Sequence, residues 1–133
     1  MEYQPNFKIF KNKIKKEKAY VISASLVADL DTPVSAMLRI GENEPYSFLL
    51  ESVEGGESKG RYSILGLKPD LIWRCYGNKA EINYNPSKSL SEFSLDSKST
   101  LKSIRSLLKS SKINLPEYLP PMASGLVGYL GFD

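Results

Sequence analysis

Two alternating stretches, Leu71-Ile72-Trp73-Arg74-Cys75-Tyr76 and Lys79-Ala80-Glu81-Ile82-Asn83-Tyr84, stand on either side of the dipeptide Gly77-Asn78. A two-residue connection that opens with glycine can supply the positive φ of a type II′ or I′ turn, and such turns join antiparallel strands. Alternation then puts Leu71, Trp73 and Cys75 on one face of the first strand and Ala80, Ile82 and Tyr84 on one face of the second. The prediction is a half-buried antiparallel ribbon. A doubly wound parallel sheet needs crossover helices between its strands, whereas the connections here are short or serine-rich. The fold class expected is α+β, a largely antiparallel sheet with a few flanking helices.

One of those helices is announced by Asp31-Thr32-Pro33. Thr32 can cap with its hydroxyl, Pro33 suits the first turn where a missing N–H costs nothing, and Val34, Met37 and Leu38 follow at i, i+3, i+4 spacing until Gly41. Tyr46-Ser47-Phe48-Leu49-Leu50 then reads as a buried strand that ends on a carboxylate and a hydroxyl, Glu51-Ser52, as a strand does when it reaches a pocket or a rim. Glu54 to Gly60 is a polar, glycine-rich loop without the Gly-Lys-Ser/Thr ending of a phosphate-binding loop. Arg61 reads as the partner of a nearby Glu54 or Glu57, and Tyr62 to Leu65 as a short extended piece.

Elsewhere, Asn6 to Lys18 places Phe7, Phe10 and Ile14 on one helical face among six lysines. A basic face that bound nucleic acid would leave its aromatic rings free to stack, but both rings fall on the stripe a surface helix buries, so nucleic acid is not expected as a partner. Tyr20 to Asp29 alternates as a strand. Residues 85–100 are rich in Ser, Lys and Asp and read as a connector, after which Thr100 can cap a helix from Leu101 to Ser110 with Leu101, Ile104, Leu107 and Leu108 as its stripe. Leu115-Pro116 and Pro120-Pro121 end it. Gly125, Gly128 and Gly131 among apolar residues suggest an extended segment approached closely by another backbone or a ligand.

The chain has 133 residues, 41% of them hydrophobic, enough for one domain over 1–133, and a net charge of +3 points to no strongly charged partner. The one cysteine, Cys75, excludes an internal disulfide, fits a reducing cytoplasm and reads as a small core residue. No apolar stretch is long enough to span a bilayer, so no membrane association is expected. Histidine is absent, which removes the commonest general acid–base group and the commonest transition-metal ligand. Any catalysis in these residues would need carboxylates, Lys or Tyr, and Glu42, Glu44, Glu51, Glu54 and Glu57 read as solvated charge, so no metal site is expected.

Four strings, Asp29-Leu30-Asp31-Thr32-Pro33-Val34-Ser35, Phe48-Leu49-Leu50-Glu51-Ser52, Gly60-Arg61-Tyr62-Ser63-Ile64-Leu65-Gly66 and Gly125 to Asp133, together resemble the N-terminal region of anthranilate synthase component I. The aminodeoxychorismate synthase component of folate synthesis is built on the same plan and is the nearest alternative. The resemblance implies an enzyme that makes anthranilate and pyruvate from chorismate and ammonia with Mg²⁺, the ammonia coming from a glutamine amidotransferase subunit, component II. It places the chorismate and metal residues in a C-terminal half beyond this sequence, so the chain is expected to be a fragment or a truncated reading frame that needs that half as a partner. It also implies a feedback site for L-tryptophan at Leu50, Glu51 and Ser52, with Pro33 nearby. Two readings outside the family are a free-standing amino-acid-binding module and a basic interaction domain using the lysine-rich N-terminal helix. On the residues alone, Glu51-Ser52 equally suits a strand ending in water.

Overall fold

A computed structural model of the chain describes residues 3–15, 20–51 and 62–131. It falls into two compact units, one of residues 28–104 and one of residues 1–27 with 105–133. Its strands pair antiparallel and its regular helices are α-helices, the expected α+β class.

In the unit of residues 28–104, the Gly77-Asn78 turn joins a strand Ile72–Tyr76 to a strand Lys79–Asn83. We number these β5 and β6 in chain order, after β1 (Tyr3–Gln4), β2 (Ser23–Ala24), β3 (Phe48–Leu50) and β4 (Ile64–Gly66). Tyr76 pairs with Lys79 across the turn, and of the two loop residues Gly77 alone takes positive φ, at 56°, as a II′ turn requires. Trp73 stands opposite Ile82 and Cys75 opposite Ala80, so the face read from alternation exists, and Ala80 and Ile82 are buried. Tyr84, assigned to the same face, lies one residue beyond the strand and is exposed. On the other face Arg74 and Glu81 are register partners, with both guanidinium contacts to one carboxylate oxygen at 2.7 Å, and the Phe93 ring lies 3.7 Å from the guanidinium.

A third strand, β7 (Ser94–Leu95), pairs antiparallel with β6 inside the serine-rich stretch that was read as a connector. Composition hid it, because its pairing partner is distant in sequence. Buried Asn83 holds the chain leading to it, donating to the Ser89 carbonyl at 2.6 Å and accepting from the Asn85 N–H at 2.9 Å.

The long helix runs Thr100–Ser110 and is the third, α3, after α1 (Phe7–Lys13) and α2 (Pro33–Ile40). Thr100 was expected to cap it. Its hydroxyl instead donates to the Gly77 carbonyl at 2.8 Å, and its N–H reaches the Asn78 side chain at 3.4 Å, so the hairpin turn supplies the acceptor. The buried side keeps Leu107 and half-buried Ile104 of the leucine stripe, but Leu101 and Leu108 are exposed, while Ser103 is 1% exposed. A serine sits there because β5 and the segment after β7 both need its hydroxyl. The Trp73 indole N–H donates to Ser103 Oγ at 3.0 Å, and that hydroxyl donates to Asp96 Oδ2 at 2.7 Å. Asp96 also continues the β6 pairing through its N–H to the Ala80 carbonyl at 2.8 Å.

In the other unit, β1 and β2 pair with Tyr3 opposite Ala24. Asn6 caps α1 by accepting from the Ile9 N–H at 3.0 Å, and the helix ends near Ile14, short of the Lys18 expected. Phe7 and Ile14 remain exposed and Phe10 is half-buried, so the stripe assigned to burial is covered only in part. Only Ser23–Ala24 of the alternating run Tyr20 to Asp29 is strand, since a period of two makes a ladder only where a partner exists. The glycine-rich segment after the 3₁₀ turn Pro121–Ala123 pairs with no strand among the described residues, and a side chain at Gly125 or Gly128 would meet nothing within 4 Å.

The Ser103 hydrogen bond, the Lys98 backbone N–H at 3.0 Å and the nearby Lys98 charge hold the Asp96 carboxyl below its ordinary 3.8, against a smaller opposing effect of burial. A lowered folded value means that this stabilisation is complete above the unfolded value and is lost as pH falls through the folded one. Denaturant unfolding followed from neutral into acid solution should therefore show an acid loss of stability near and below that ordinary value, and Asp96→Asn should flatten it. Ser103→Ala should cost about 1 kcal/mol or more at neutral pH through the stranded indole N–H alone; an unchanged midpoint would contradict the bridging role.

Candidate functional site

The expected site lies at the end of β3, and α2 determines how β3 is delivered. Thr32 and Ser35 form a capping box: Thr32 Oγ1 accepts from the Ser35 N–H at 3.1 Å, and Ser35 Oγ from the Thr32 N–H at 2.9 Å. Pro33 is the first helical residue, as its fixed φ favours. Arg39 pairs with Asp31 at 2.7 Å across the length of the helix. At the far end the Gly41 carbonyl accepts from the Ser47 hydroxyl at 3.2 Å and from the Glu44 N–H at 3.1 Å, tying the helix end to the start of β3. Of the apolar positions read as the packing side of α2, Met37 is half-buried, with its sulfur 2.6 Å from where a Gly41 side chain would begin, whereas Val34 and Leu38 are exposed.

Strand β3 pairs antiparallel with β4, Phe48 opposite Gly66, Leu49 opposite Leu65 and Leu50 opposite Ile64, and α2 packs against both strands. The strand begins later than expected, because Tyr46 takes a left-handed φ of 59° and leaves the ladder. Gly66 is required by its partner: a Cβ there would fall into the Phe48 ring. Pro33 opens α2, about 12 Å long, and Leu50 closes β3, about 10 Å long.

Of the residues the sequence singled out, Pro33 is exposed at that helix start, Leu50 ends β3 with its side chain 43% exposed, and Glu51 is exposed just beyond. No hydrogen bond or ion pair links these three among the described residues. Ser52 lies outside the described residues, as do Glu54, Glu57 and Arg61. Glu44, read as solvated, instead pairs with Lys68 at 3.2 Å. A separate concavity of about 210 Å³ is lined by Leu108, Ser111, Lys112, Ile113, Leu115 and Leu126. It belongs to the other unit and holds none of the expected site residues. Among the described residues no helix is long and apolar enough to cross a membrane.

Sequence reasoning missed the left-handed residues Tyr46 and Lys68. The signal for the first was present in Glu44-Pro45-Tyr46-Ser47, since proline at the second position of a four-residue turn favours types I and II. Tyrosine concealed it by standing where glycine is usual.

The arrangement defines a class: an α+β module in which a capped helix and a two-stranded ribbon present a strand end to solvent. Over nearly its whole length the chain is similar to anthranilate synthase component 1. It is 44% identical over 128 residues to that of Cereibacter sphaeroides, covering 96% of this chain and 26% of the relative. It is 38% identical over 132 residues to that of Synechocystis, covering 97% and 25%, and 39% identical over 112 residues to that of Acetivibrio thermocellus, covering 84% and 22%. The chain thus spans about a quarter of the length of these relatives. No family model and no solved structure matches it.

The Phe48–Gly66 pair makes a sharp prediction. Gly66→Ala should force the ring from its place and cost about 1–3 kcal/mol in denaturant unfolding. Gly41→Ala meets first a thioether that can swing aside and should cost less. Equal losses would contradict the assigned packing.

Proposed function

We propose that this chain is the N-terminal, tryptophan-sensing part of anthranilate synthase component 1, working in the cytoplasm as one domain over 1–133. The complete enzyme would convert chorismate, with ammonia or glutamine, into anthranilate and pyruvate in L-tryptophan biosynthesis. The observation that carries this reading is the identity to relatives of that name along almost the whole chain. Their printed name favours this over the folate-pathway alternative. The name "component 1" on those relatives supports a second component, which we take to be the glutamine amidotransferase subunit. The remaining three quarters of the relatives' length supports a C-terminal half as the other partner.

Chemistry is assigned to that half. A Mg²⁺ site needs converging oxygen ligands, and no group of three or more Asp, Glu, His or Cys side chains gathers among the described residues. The ion is therefore assigned, with the chemistry, to the C-terminal half.

Regulation is assigned to the β3 end. L-Tryptophan offers an indole that needs apolar walls and an ammonium and carboxylate that need hydrogen-bonding partners. Leu50 supplies exposed apolar surface, Glu51 a carboxylate for the ammonium, Ser52 a hydroxyl, and Pro33 a rigid apolar edge without a competing N–H. In the anthranilate synthase that carries this stretch, Ser52→Phe should fill the ligand's space and remove a polar partner. The half-inhibitory tryptophan concentration should rise at least about tenfold, from roughly 1.4 kcal/mol or more of lost binding. Turnover without tryptophan should stay close to wild type. Steady-state anthranilate formation against tryptophan concentration is the measurement; an unchanged inhibition curve, or an equal loss of uninhibited turnover, would remove Ser52 from the site.

A further inference from the structure

Tyr46 and Lys68 take φ of 59° and 50°, the left-handed region that residues with a Cβ enter only at a cost. Tyr46 follows Pro45 in a turn closed by the Ser47 N–H donating to the Glu44 carbonyl at 3.3 Å. Proline followed by positive φ is the type II arrangement, whose second central position normally takes glycine or asparagine. Lys68 precedes Pro69, and a residue before proline is pushed toward extended backbone. Its left-handed conformation is therefore doubly uncommon.

The two positions are coupled through the ribbon. The ladder ends with Phe48 opposite Gly66. Continued outward in the same register, it would set Ser47 against Leu67, Tyr46 against Lys68 and Pro45 against Pro69. Both strands turn aside at one rung, and at the next the prolines have no N–H with which to continue. The Glu44 carboxylate and the Lys68 ammonium, 3.2 Å apart, bridge the arms at that end.

We propose that the β3–β4 ribbon is a two-state element, either kinked at the Tyr46–Lys68 rung or lengthened through it, and that L-tryptophan at its Leu50 end distinguishes the two states. The proposal rests on the tryptophan reading above and adds how occupancy leaves the site. Left-handed residues with side chains persist only where the surroundings hold them, and such strain gathers in clamps and switches. A two-stranded ribbon twists more strongly than a wider sheet, and only three rungs run from the Phe48 end to the Leu50–Ile64 end. A ligand that touches that rung shifts the equilibrium by its differential affinity for the two states.

The test is a contrast at Lys68 in the complete enzyme. Lys68→Gly accepts the kink without strain, whereas Lys68→Val, β-branched, opposes it and favours the extra rung. Both lose the ammonium alike, so their difference reads the backbone and not the ion pair. Tyr46→Gly and Tyr46→Val repeat the contrast on the other arm, in case one variant fails to fold. At each position the glycine and valine variants should differ in half-inhibitory tryptophan concentration by roughly tenfold or more, with uninhibited turnover unchanged. Coincident curves for glycine and valine at both positions would overturn the two-state ribbon. If Ser52→Phe relieves inhibition while the glycine and valine curves coincide, the ribbon proposal alone fails. If the wild-type enzyme is not inhibited at all, the tryptophan reading fails and the ribbon proposal with it.

Discussion

The hydrogen-bond chain from the Trp73 indole through the Ser103 hydroxyl to the Asp96 carboxylate holds together elements distant in sequence. It joins β5, the long helix and the segment that follows β7, using a serine on the buried side of a helix where a leucine stripe was expected. Few large side chains are fully buried among the described residues, where Ala80, Ile82 and Leu107 are the buried hydrophobics. With so little apolar burial, satisfied polar pairs decide which arrangement is unique. A hydroxyl that accepts from one partner and donates to another fixes both, and an apolar replacement leaves each without its mate. Asn83 toward Ser89 and Asn85, and Asn78 and Gly77 toward Thr100, extend the same device around the β5–β7 sheet.

The features legible in the sequence are those decided by neighbours a few residues away. The Gly77-Asn78 hairpin, its inward face and the Thr32-Pro33 helix start are local, and the structure has all three. Features that depend on distant partners were not legible. Tyr20 to Asp29 has a strand period, yet only Ser23–Ala24 finds a partner. The serine-rich stretch has no strand pattern, yet β7 forms there because β6 offers an edge. Thr100 has a capping side chain, but the hairpin turn draws that hydroxyl away. At the candidate site the same division holds. Pro33 and Leu50 stand where local signals put them, while the turn that shapes the start of β3 depends on a tyrosine in a glycine's conformation.

Within the unit of residues 28–104 these features separate into two parts. The β5–β7 sheet, with its polar bridges and its buried Ala80 and Ile82, is a frame. The α2–β3–β4 part is lighter. It has a three-rung ladder, a helix with no buried residue and two left-handed positions at one end. Local opening is least costly where buried contacts are few, and an element that answers a small ligand must draw on such places.

Amide hydrogen exchange of the complete enzyme, with and without L-tryptophan, tests this account most directly. Tryptophan should slow exchange at Leu49 to Glu51 and at Ile64 to Gly66 and leave Ile72–Tyr76 and Lys79–Asn83 unchanged. Protection confined to the Leu108–Leu126 concavity, or absent from the β3–β4 ribbon, would contradict it.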